Sequence, residues 1–257
     1  MKNFIFKIDH YIAKLFHNMY LWGGDFTNNL MEGISLIAEA GILFLIVGLG
    51  LALFKRTRKA GATIILSIAL GFLITNIILK NSIARARPFE DINSDFFKWW
   101  LGAGAVSESG FSFPSGHTTA TTAFAVALFL SFNKKYSWPV LFLPLVMASS
   151  RIYLMVHYFS DCVGGLLVGT SAAVIAFFIC KWIYTSKIKL FVWARELDLF
   201  KSKRKKQTSS NTETVKVENP AEDYVYSTQE QENQSSNIEN SLIQQDIESK
   251  EKQSLDK

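Results

Sequence analysis

The chain has 257 residues, a formal net charge of +5 and 49% hydrophobic residues. The hydrophobic residues are unevenly distributed, because they crowd into residues 34 to 184, whereas the region after about residue 200 is rich in Lys, Gln, Ser, Asn and Glu. The basic residues form short clusters between apolar segments and do not line one basic face. This pattern argues against a nucleic-acid-binding protein and favours a membrane protein.

Residues 1–33 form an amphipathic N-terminal segment. Lys7, Asp9 and Lys14 interrupt its apolar sequence, and it lacks the continuous apolar region and cleavage site of a signal peptide. Apolar side chains recur at near-helical spacing, at Phe4, Ile5, Ile8, Ile12, Leu15 and Phe16. We expect a helix lying in the membrane interface, and the alternative is a helix that crosses the membrane.

Further along the chain, several segments have the length of membrane-spanning helices, which need about 20 mainly apolar residues. These segments are Ile34–Phe54, Gly61–Lys80, Ser115–Phe132, Trp138–Val156 and Asp161–Tyr184. The expected fold class is an all-α membrane protein, with a bundle of about five transmembrane helices in residues 34–185, or six if the N-terminal helix crosses. Glu39 interrupts the first segment and is expected to face the membrane interface.

Loop charges predict the orientation of this bundle. Lys and Arg cluster at residues 55–59 and 134–135, and such clusters mark the cytoplasmic side. An odd number of crossings places the basic juxtamembrane segment, residues 186–206, on that same side. Residues 207–257 lack apolar periodicity and are expected to form a disordered cytoplasmic tail.

Polar residues flank the predicted outer ends of the helices. Lys80 and Arg87 are two helical turns apart, so both can reach one anion before Pro88 ends the helix. The alternative is that these side chains only extend toward the membrane interface, as Lys and Arg at a helix end often do. Loops on the outer side of a membrane, however, are not enriched in Lys and Arg. This position therefore favours a phosphate clamp.

Two further polar segments share this predicted face. Pro114-Ser115-Gly116-His117 places a Ser N-cap and unpaired backbone amides at a helix start, which is either an ordinary cap or a phosphate site. His157 and Asp161 have i, i+4 spacing, so the carboxylate can hold one imidazole nitrogen while the other points outward. Such a pair alone is more often structural than catalytic.

Together the motifs Lys80-x6-Arg87-Pro88, Pro114-Ser115-Gly116-His117 and Ser150-Arg151-x5-His157-x3-Asp161 resemble those of the type 2 phosphatidic acid phosphatase and vanadium haloperoxidase superfamily. The resemblance covers about residues 30 to 185. It implies that His157 attacks phosphorus, that His117 protonates the leaving oxygen and that Asp161 orients His157. It also implies a set of phosphate-binding residues: Lys80, Arg87, Ser115, Gly116 and Arg151.

The activity that this resemblance implies is hydrolysis of a lipid phosphate or diphosphate in the bilayer, through a phosphohistidine and without a metal or other cofactor. Fixed cations suit this chemistry, since a phosphoryl transition state spreads negative charge over its oxygens. The implied substrates are of the undecaprenyl diphosphate, phosphatidylglycerol phosphate or phosphatidic acid class. The alternatives are a vanadate-dependent haloperoxidase and a non-enzymatic membrane anion-binding protein. The sequence leaves the oligomeric state open.

Overall fold

The computed structural model describes residues 2–37 and 41–186, and these residues contain helices and no β-strand. The all-α class predicted from the sequence is therefore confirmed. The α-helices are α1 (Lys2–Ile37), α2 (Ile42–Leu53), α3 (Arg58–Phe72), α4 (Lys80–Ile83), α5 (Asp95–Gly102), α6 (Gly116–Ser131), α7 (Lys134–Ser137), α8 (Leu143–Tyr153) and α9 (Phe159–Thr185). A π-helical segment, Leu73–Leu79, joins α3 to α4, and 3₁₀ turns cover Pro88–Glu90 and Trp138–Phe142.

Helix α1 is divided at Gly24, whose φ of 50° and ψ of −137° are not helical. Glycine suits this position because a side chain would strain a backbone with positive φ. The segment before Gly24 packs through Ala13 and Phe16 against Phe96 of α5 and Met155, which follows α8. Its other face leaves apolar side chains such as Phe4 and Trp22 exposed.

The helix predicted over Ile34–Phe54 is not continuous. Helix α1 ends at Ile37 and α2 begins at Ile42, after Gly41 with a φ of 72°. A Cβ atom at Gly41 would lie 3.2 Å from Cβ of Ala120, so the chain approaches α6 closely here. Average apolarity does not report such a local break in a helix, and the crossing of the membrane by this segment stays a prediction. Glu39 lies outside the described residues, as do residues 187–257 of the predicted basic segment and tail.

Two helical stretches are long and apolar enough to cross a membrane, among the residues that the structure describes. They are Arg58–Glu90, with a mean hydropathy of 2.4, and Phe159–Thr185, with 2.2. The predicted segment Trp138–Val156 instead forms a 3₁₀ turn followed by the 11-residue helix α8. Pro139 and Pro144 lie near the start of these elements, where the missing N–H is tolerated. The number of crossings stays a prediction.

Helices α3, α6 and α9 form the centre of the bundle. Glycines on α9 allow backbone contact with α6, since a Cβ atom at Gly165 would lie 2.8 Å from the Ser115 carbonyl oxygen and one at Gly169 would lie 2.6 Å from that of Thr119. The Ser67 hydroxyl of α3 donates to the Ala123 carbonyl of α6 at 3.1 Å. This packing brings the end of the α3–α4 stretch and the starts of α6 and α9 together.

Candidate active site

A cavity of about 180 Å³ lies where these helix ends meet. The three predicted motifs converge on it, because Lys80, Gly116, His117 and His157 all contribute to its wall together with Glu108. The remaining wall is apolar or weakly polar, and it consists of Ile68, Gly71, Phe72, Thr75, Asn76, Thr119 and Ala120. The cavity therefore combines charged groups with an apolar side.

The start of α6 is organised by Ser115. Its hydroxyl oxygen accepts a hydrogen bond from the Thr118 hydroxyl at 3.0 Å and from the Thr118 N–H at 3.5 Å, as an N-cap does. Its own N–H donates to the Asp161 carbonyl oxygen at 3.1 Å, which ties α6 to α9. Ser115 is fully buried and does not line the cavity, whereas Gly116 and His117 do. Its direct phosphate contact thus stays a prediction.

Arg87 is held rigidly by the backbone around it. Its guanidinium donates to the carbonyl oxygens of Ser109 and Gly110, each at 2.8 Å, and of Val156 at 2.9 Å. Only 2% of the residue is exposed. Nη1 of Arg87 also lies 3.5 Å from Nε2 of His157. The buried guanidinium therefore joins the loop before α6 to the loop that carries His157.

Arg151, in the last turn of α8, is equally buried. Its guanidinium donates to the hydroxyl of Ser35 on α1 and to Oε1 of Glu108. Its Nε atom is buried without a hydrogen-bond partner. Arg87 and Arg151 therefore lie behind the cavity wall, and Glu108 stands between them and the cavity.

Glu108 is a site residue that the sequence motifs did not predict. It lies in the loop between α5 and α6, with Oε2 at 3.4 Å from Arg87 and Oε1 at 4.0 Å from Nδ1 of His117. Burial opposes ionisation of this carboxyl, but Arg151, with His117 and Arg87, outweighs burial and lowers its pKa. The side chain thus carries a negative charge inside a ring of basic groups.

Lys80 differs from the two arginines. Within the residues that the structure describes, its ammonium group makes no hydrogen bond and no ion pair, and its side chain lines the cavity directly. An ammonium group in this position is available to an incoming anion. In this structure Arg87 reaches the cavity region through Glu108 and His157, and its joint action with Lys80 on one anion stays a prediction.

His157 lies in the loop between α8 and α9 and is only 3% exposed. Its Nδ1 atom lies 3.5 Å from Oδ2 of Asp161 but has no hydrogen-bond partner, so the predicted pair is adjacent without being hydrogen-bonded. Burial lowers the pKa of His157 to about 4, while Asp161 acts in the opposite direction. The imidazole is therefore neutral at physiological pH, as a nucleophile must be.

Asp161 is fully buried in the first turn of α9. Its Oδ2 atom accepts from the Tyr158 N–H at 2.9 Å, and its Oδ1 atom accepts from Arg85 at 2.6 Å. Arg85 is a second site residue that the sequence motifs did not predict, although it stands only two positions before Arg87. Asp9 of α1, which binds the other side of Arg85 at 2.8 Å, is a third.

No group of three or more His, Cys, Asp or Glu residues is arranged to hold a metal ion in residues 2–37 and 41–186. The charged groups of the site are instead mostly basic. Around one small cavity they provide the neutral imidazole of His157, the imidazole of His117 near the Glu108 carboxylate, and the ammonium of Lys80, which is unpaired among the described residues. Such a cavity can bind a tetrahedral anion and carry out acid–base chemistry on it.

The profile of the PAP2 superfamily matches residues 60–186 of the chain. The chain is also 32% identical over 177 residues to the phosphatidylglycerophosphatase B of Bacillus subtilis, an alignment that covers 64% of this chain and 78% of that protein. The chain belongs to the PAP2 superfamily. The resemblance seen in the motifs is therefore confirmed.

A second relative of this PAP2 chain is an undecaprenyl-diphosphatase of Sulfolobus acidocaldarius, with 31% identity over 121 residues. That alignment covers 47% of this chain and 55% of the relative, so the chain spans about half the relative's length. The fold is similar to the crystal structure of a transmembrane PAP2 type phosphatidylglycerolphosphate phosphatase from Bacillus subtilis. The two structures superpose with a TM-score of 0.50 and 26% sequence identity. The superposition covers 73% of this chain and 90% of that chain. These PAP2 matches agree with the predicted membrane location.

Proposed function

We propose that this PAP2 protein is a membrane lipid phosphatase that hydrolyses a lipid-borne phosphate or diphosphate by way of a phosphohistidine at His157. The observation that carries the proposal is the buried, neutral imidazole of His157 on the wall of a cavity surrounded by fixed cations. Phosphoryl transfer depends mainly on positioning and on stabilising charge, and buried cations provide both.

In the proposed mechanism the substrate phosphate enters the cavity and is held by Lys80, by the first turn of α6 at Gly116 and by Arg87 and Arg151. The lone pair of Nε2 of His157 attacks phosphorus. The phosphorus–oxygen bond to the lipid breaks, and His117 donates its proton to the departing oxygen. Water then attacks the phosphohistidine, His117 accepts a proton from this water, and release of phosphate restores neutral His157.

Glu108 supports a specific route for substrate binding. Its carboxylate occupies the place next to Arg151 and Arg87 where oxygens of the bound phosphate are expected. Because like charges repel at this distance, the phosphate must displace this carboxylate or share its partners. Displacement leaves both arginines free for the phosphate, while Glu108 can turn toward Nδ1 of His117, now 4.0 Å away.

We assign the substrate class to polyprenyl or glycerolipid phosphates. The relatives that match the chain are named for undecaprenyl diphosphate and for phosphatidylglycerophosphate. The apolar wall of the cavity, which includes Ile68, Phe72 and Ala120, suits the first carbon atoms of a lipid chain. This wall supports a lipid phosphate over a small soluble one.

We also propose that the active site faces the extracytoplasmic side. Lys80 is 22 residues beyond Arg58, or roughly 33 Å along a helix. The basic residues 55–59 and 134–135 thus lie at the opposite end of α3 and α6 from the cavity. Basic loops favour the cytoplasm. The predicted tail then belongs in the cytoplasm, and the exposed apolar face of α1 supports an interfacial position for residues 1–33.

The proposal is tested with purified protein in vesicles, supplied with prenyl diphosphates and phosphatidyl phosphates in the presence of a chelator. We expect wild type to release phosphate and His157→Ala to be inactive. With ³²P-labelled substrate, rapid quenching in alkali should trap label on wild type and none on His157→Ala. Absence of phosphate release from every lipid, loss of activity with chelator, or unchanged turnover by His157→Ala would each overturn the proposal. Halide oxidation with vanadate as the main activity would do the same.

A further inference from the structure

A series of charges runs from Asp161 through the half-buried Arg85 to the N-terminal helix. Oδ1 of Asp161 accepts a hydrogen bond from Nη1 of Arg85 at 2.6 Å, and Oδ2 of Asp9 accepts one from Nη2 of the same guanidinium at 2.8 Å. Asp9 and Asp161 are both fully buried, although they are 152 positions apart in the sequence. One arginine thus joins a carboxylate of α1 to the carboxylate beside His157.

Asp9 also binds the start of α9 directly. Its Oδ1 atom accepts from the Ser160 N–H and its Oδ2 atom from the Ser160 hydroxyl, each at 2.8 Å. The first N–H groups of a helix have no partner inside the helix, so a carboxylate here satisfies one of them. Its negative charge also interacts favourably with the positive end of the helix dipole. Ser160 immediately precedes Asp161, and Asp9 therefore fixes the turn that carries the catalytic carboxylate.

Arg85 is held on a further side by an aromatic ring. Its guanidinium carbon lies 3.8 Å from the ring centroid of Tyr158, the N-cap residue of α9, and its Nη1 donates to the Ser160 hydroxyl at 2.7 Å. The arginine is thus fixed by two carboxylates, a hydroxyl and a ring. These contacts define the geometry of a side chain that is itself 25% exposed, and removing Arg85 would leave two buried carboxylates without their cation.

Anchoring of α1 does not by itself account for Asp9. Apolar contacts already hold this helix, through Ile12 and Phe16 against Cys162 and Ile152 and through Ala13 against Met155. Burying a carboxylate costs free energy unless it is paired. Asp9 binds Arg85 and Ser160, the residues that hold Asp161 in place, so its buried charge is best explained by a role in the active site.

We infer that Asp9 and Arg85 are positioning residues, which hold Asp161 and through it His157 in the geometry needed for attack on phosphorus. The inference rests on the proposed function of His157. It makes the N-terminal helix part of the catalytic unit, since α1 contributes Asp9 to Arg85 and Ser35 to Arg151.

Several charges besides those of Asp9 and Arg85 act on His157. Arg87 and Arg151 face it from the loop after α4 and from α8, and Asp161 faces it from α9. Glu108 and His117 also interact with it electrostatically. None of these residues changes when Asp9 or Arg85 is replaced, so a shift in the pH profile reports the series itself.

The test compares Asp9→Asn and Arg85→Gln in the vesicle assay. We expect turnover to fall about 10- to 100-fold in each while KM changes less than about twofold, because the nucleophile is misplaced but the phosphate ligands remain. The acidic limb of the pH profile should move in opposite directions, each by about half a pH unit. Loss of the Asp9 charge moves it to lower pH, and loss of the Arg85 charge moves it to higher pH.

Asp25→Asn is the matched control, since this exposed residue lies on the same helix. It should leave turnover and the pH profile unchanged. Asp9→Glu keeps the charge and should retain the wild-type acidic limb even if its turnover is reduced. Melting temperatures measured in detergent identify a variant that does not fold, and the other of Asp9→Asn and Arg85→Gln then carries the comparison.

The inference is overturned if Asp9→Asn behaves like Asp25→Asn, or if turnover falls without any movement of the acidic limb. Both results leave the proposed function intact, provided that His157→Ala is inactive and traps no phosphate. Conversely, an active His157→Ala variant overturns the proposed function whatever the Asp9 variants do. The two failures are therefore distinguishable.

Discussion

Glu108 forms an ion pair with Arg151 at the wall of the candidate active site. Arg151 is almost completely buried, whereas the Glu108 side chain is 23% exposed to the cavity. A phosphate that binds to Arg151 therefore competes with a carboxylate of the same chain. This relationship explains why the two predicted phosphate-binding arginines, Arg87 and Arg151, do not line the cavity directly.

The first prediction concerns this competition. Glu108→Gln should tighten inhibition by vanadate or inorganic phosphate about five- to tenfold, because the amide no longer competes with the anion for Arg87 and Arg151. Inhibition constants measured with a fixed lipid substrate check this. Asp91→Asn, at an exposed residue in the neighbouring loop, is the control and should not change them. Unchanged or weaker inhibition in Glu108→Gln would contradict the assigned place of the phosphate.

The second prediction concerns pH. A nucleophilic imidazole must be neutral, and burial lowers the pKa of His157 to about 4. Activity should therefore persist as pH falls below the ordinary histidine value of about 6.5 and be lost as pH passes through about 4. The pH dependence of kcat/KM, which reports the free enzyme, checks this acidic limb. The profile of kcat, which reports the enzyme–substrate complex, should also fall at high pH, because the proposed role of His117 requires a proton on it in that complex.

Asp161→Asn provides the control for that assignment. Asp161 favours the protonated form of His157, so its replacement should move the acidic limb to lower pH. The profile of kcat/KM for this variant is compared with that of wild type under the same conditions. A limb that stays in place, or moves to higher pH, would mean that another group sets it.

The third prediction concerns Arg87 and Lys80, to which the sequence motifs assign the same phosphate-binding role. Arg87→Ala should abolish activity and also cost about 3 kcal/mol or more of stability, because buried carbonyl groups lose their donor. Lys80→Ala should abolish activity with little change in stability, since the Lys80 ammonium makes no ion pair or hydrogen bond within the described residues. Melting temperature and turnover of both variants check this. Equal destabilisation of the two variants would contradict the observed division of roles.

The fourth prediction concerns helix packing. Gly169→Ala places a Cβ atom 2.6 Å from the Thr119 carbonyl oxygen, so α6 and α9 must separate. We expect a loss of about 1–3 kcal/mol in stability and reduced turnover, because these helices carry His117 and Asp161. Gly50→Ala is the control, since no atom lies within 4 Å of its added Cβ. Similar melting temperatures for both variants would argue against close α6–α9 contact.

The sequence alone determined the helical class and the family. Long apolar segments indicate membrane helices because a bilayer imposes their length, and the spaced motifs indicated the PAP2 superfamily because phosphate chemistry requires particular groups. The match to PAP2 proteins confirmed this family. His117, His157 and Lys80 do line one cavity, as their motifs predicted. The catalytic and phosphate-binding roles of the motif residues stay predictions.

Only the tertiary structure decided which charged residues are partners. Asp9 and Arg85 are 76 positions apart, and Glu108 and Arg151 are 43 apart, so no local spacing relates them. Hydrophobic periodicity shows which face of a helix is buried but not which helix covers it. The left-handed backbone at Gly41 escaped prediction for a similar reason, since close approach to Ala120 is a property of packing. The supports of His157 thus became visible only when distant helices were brought together.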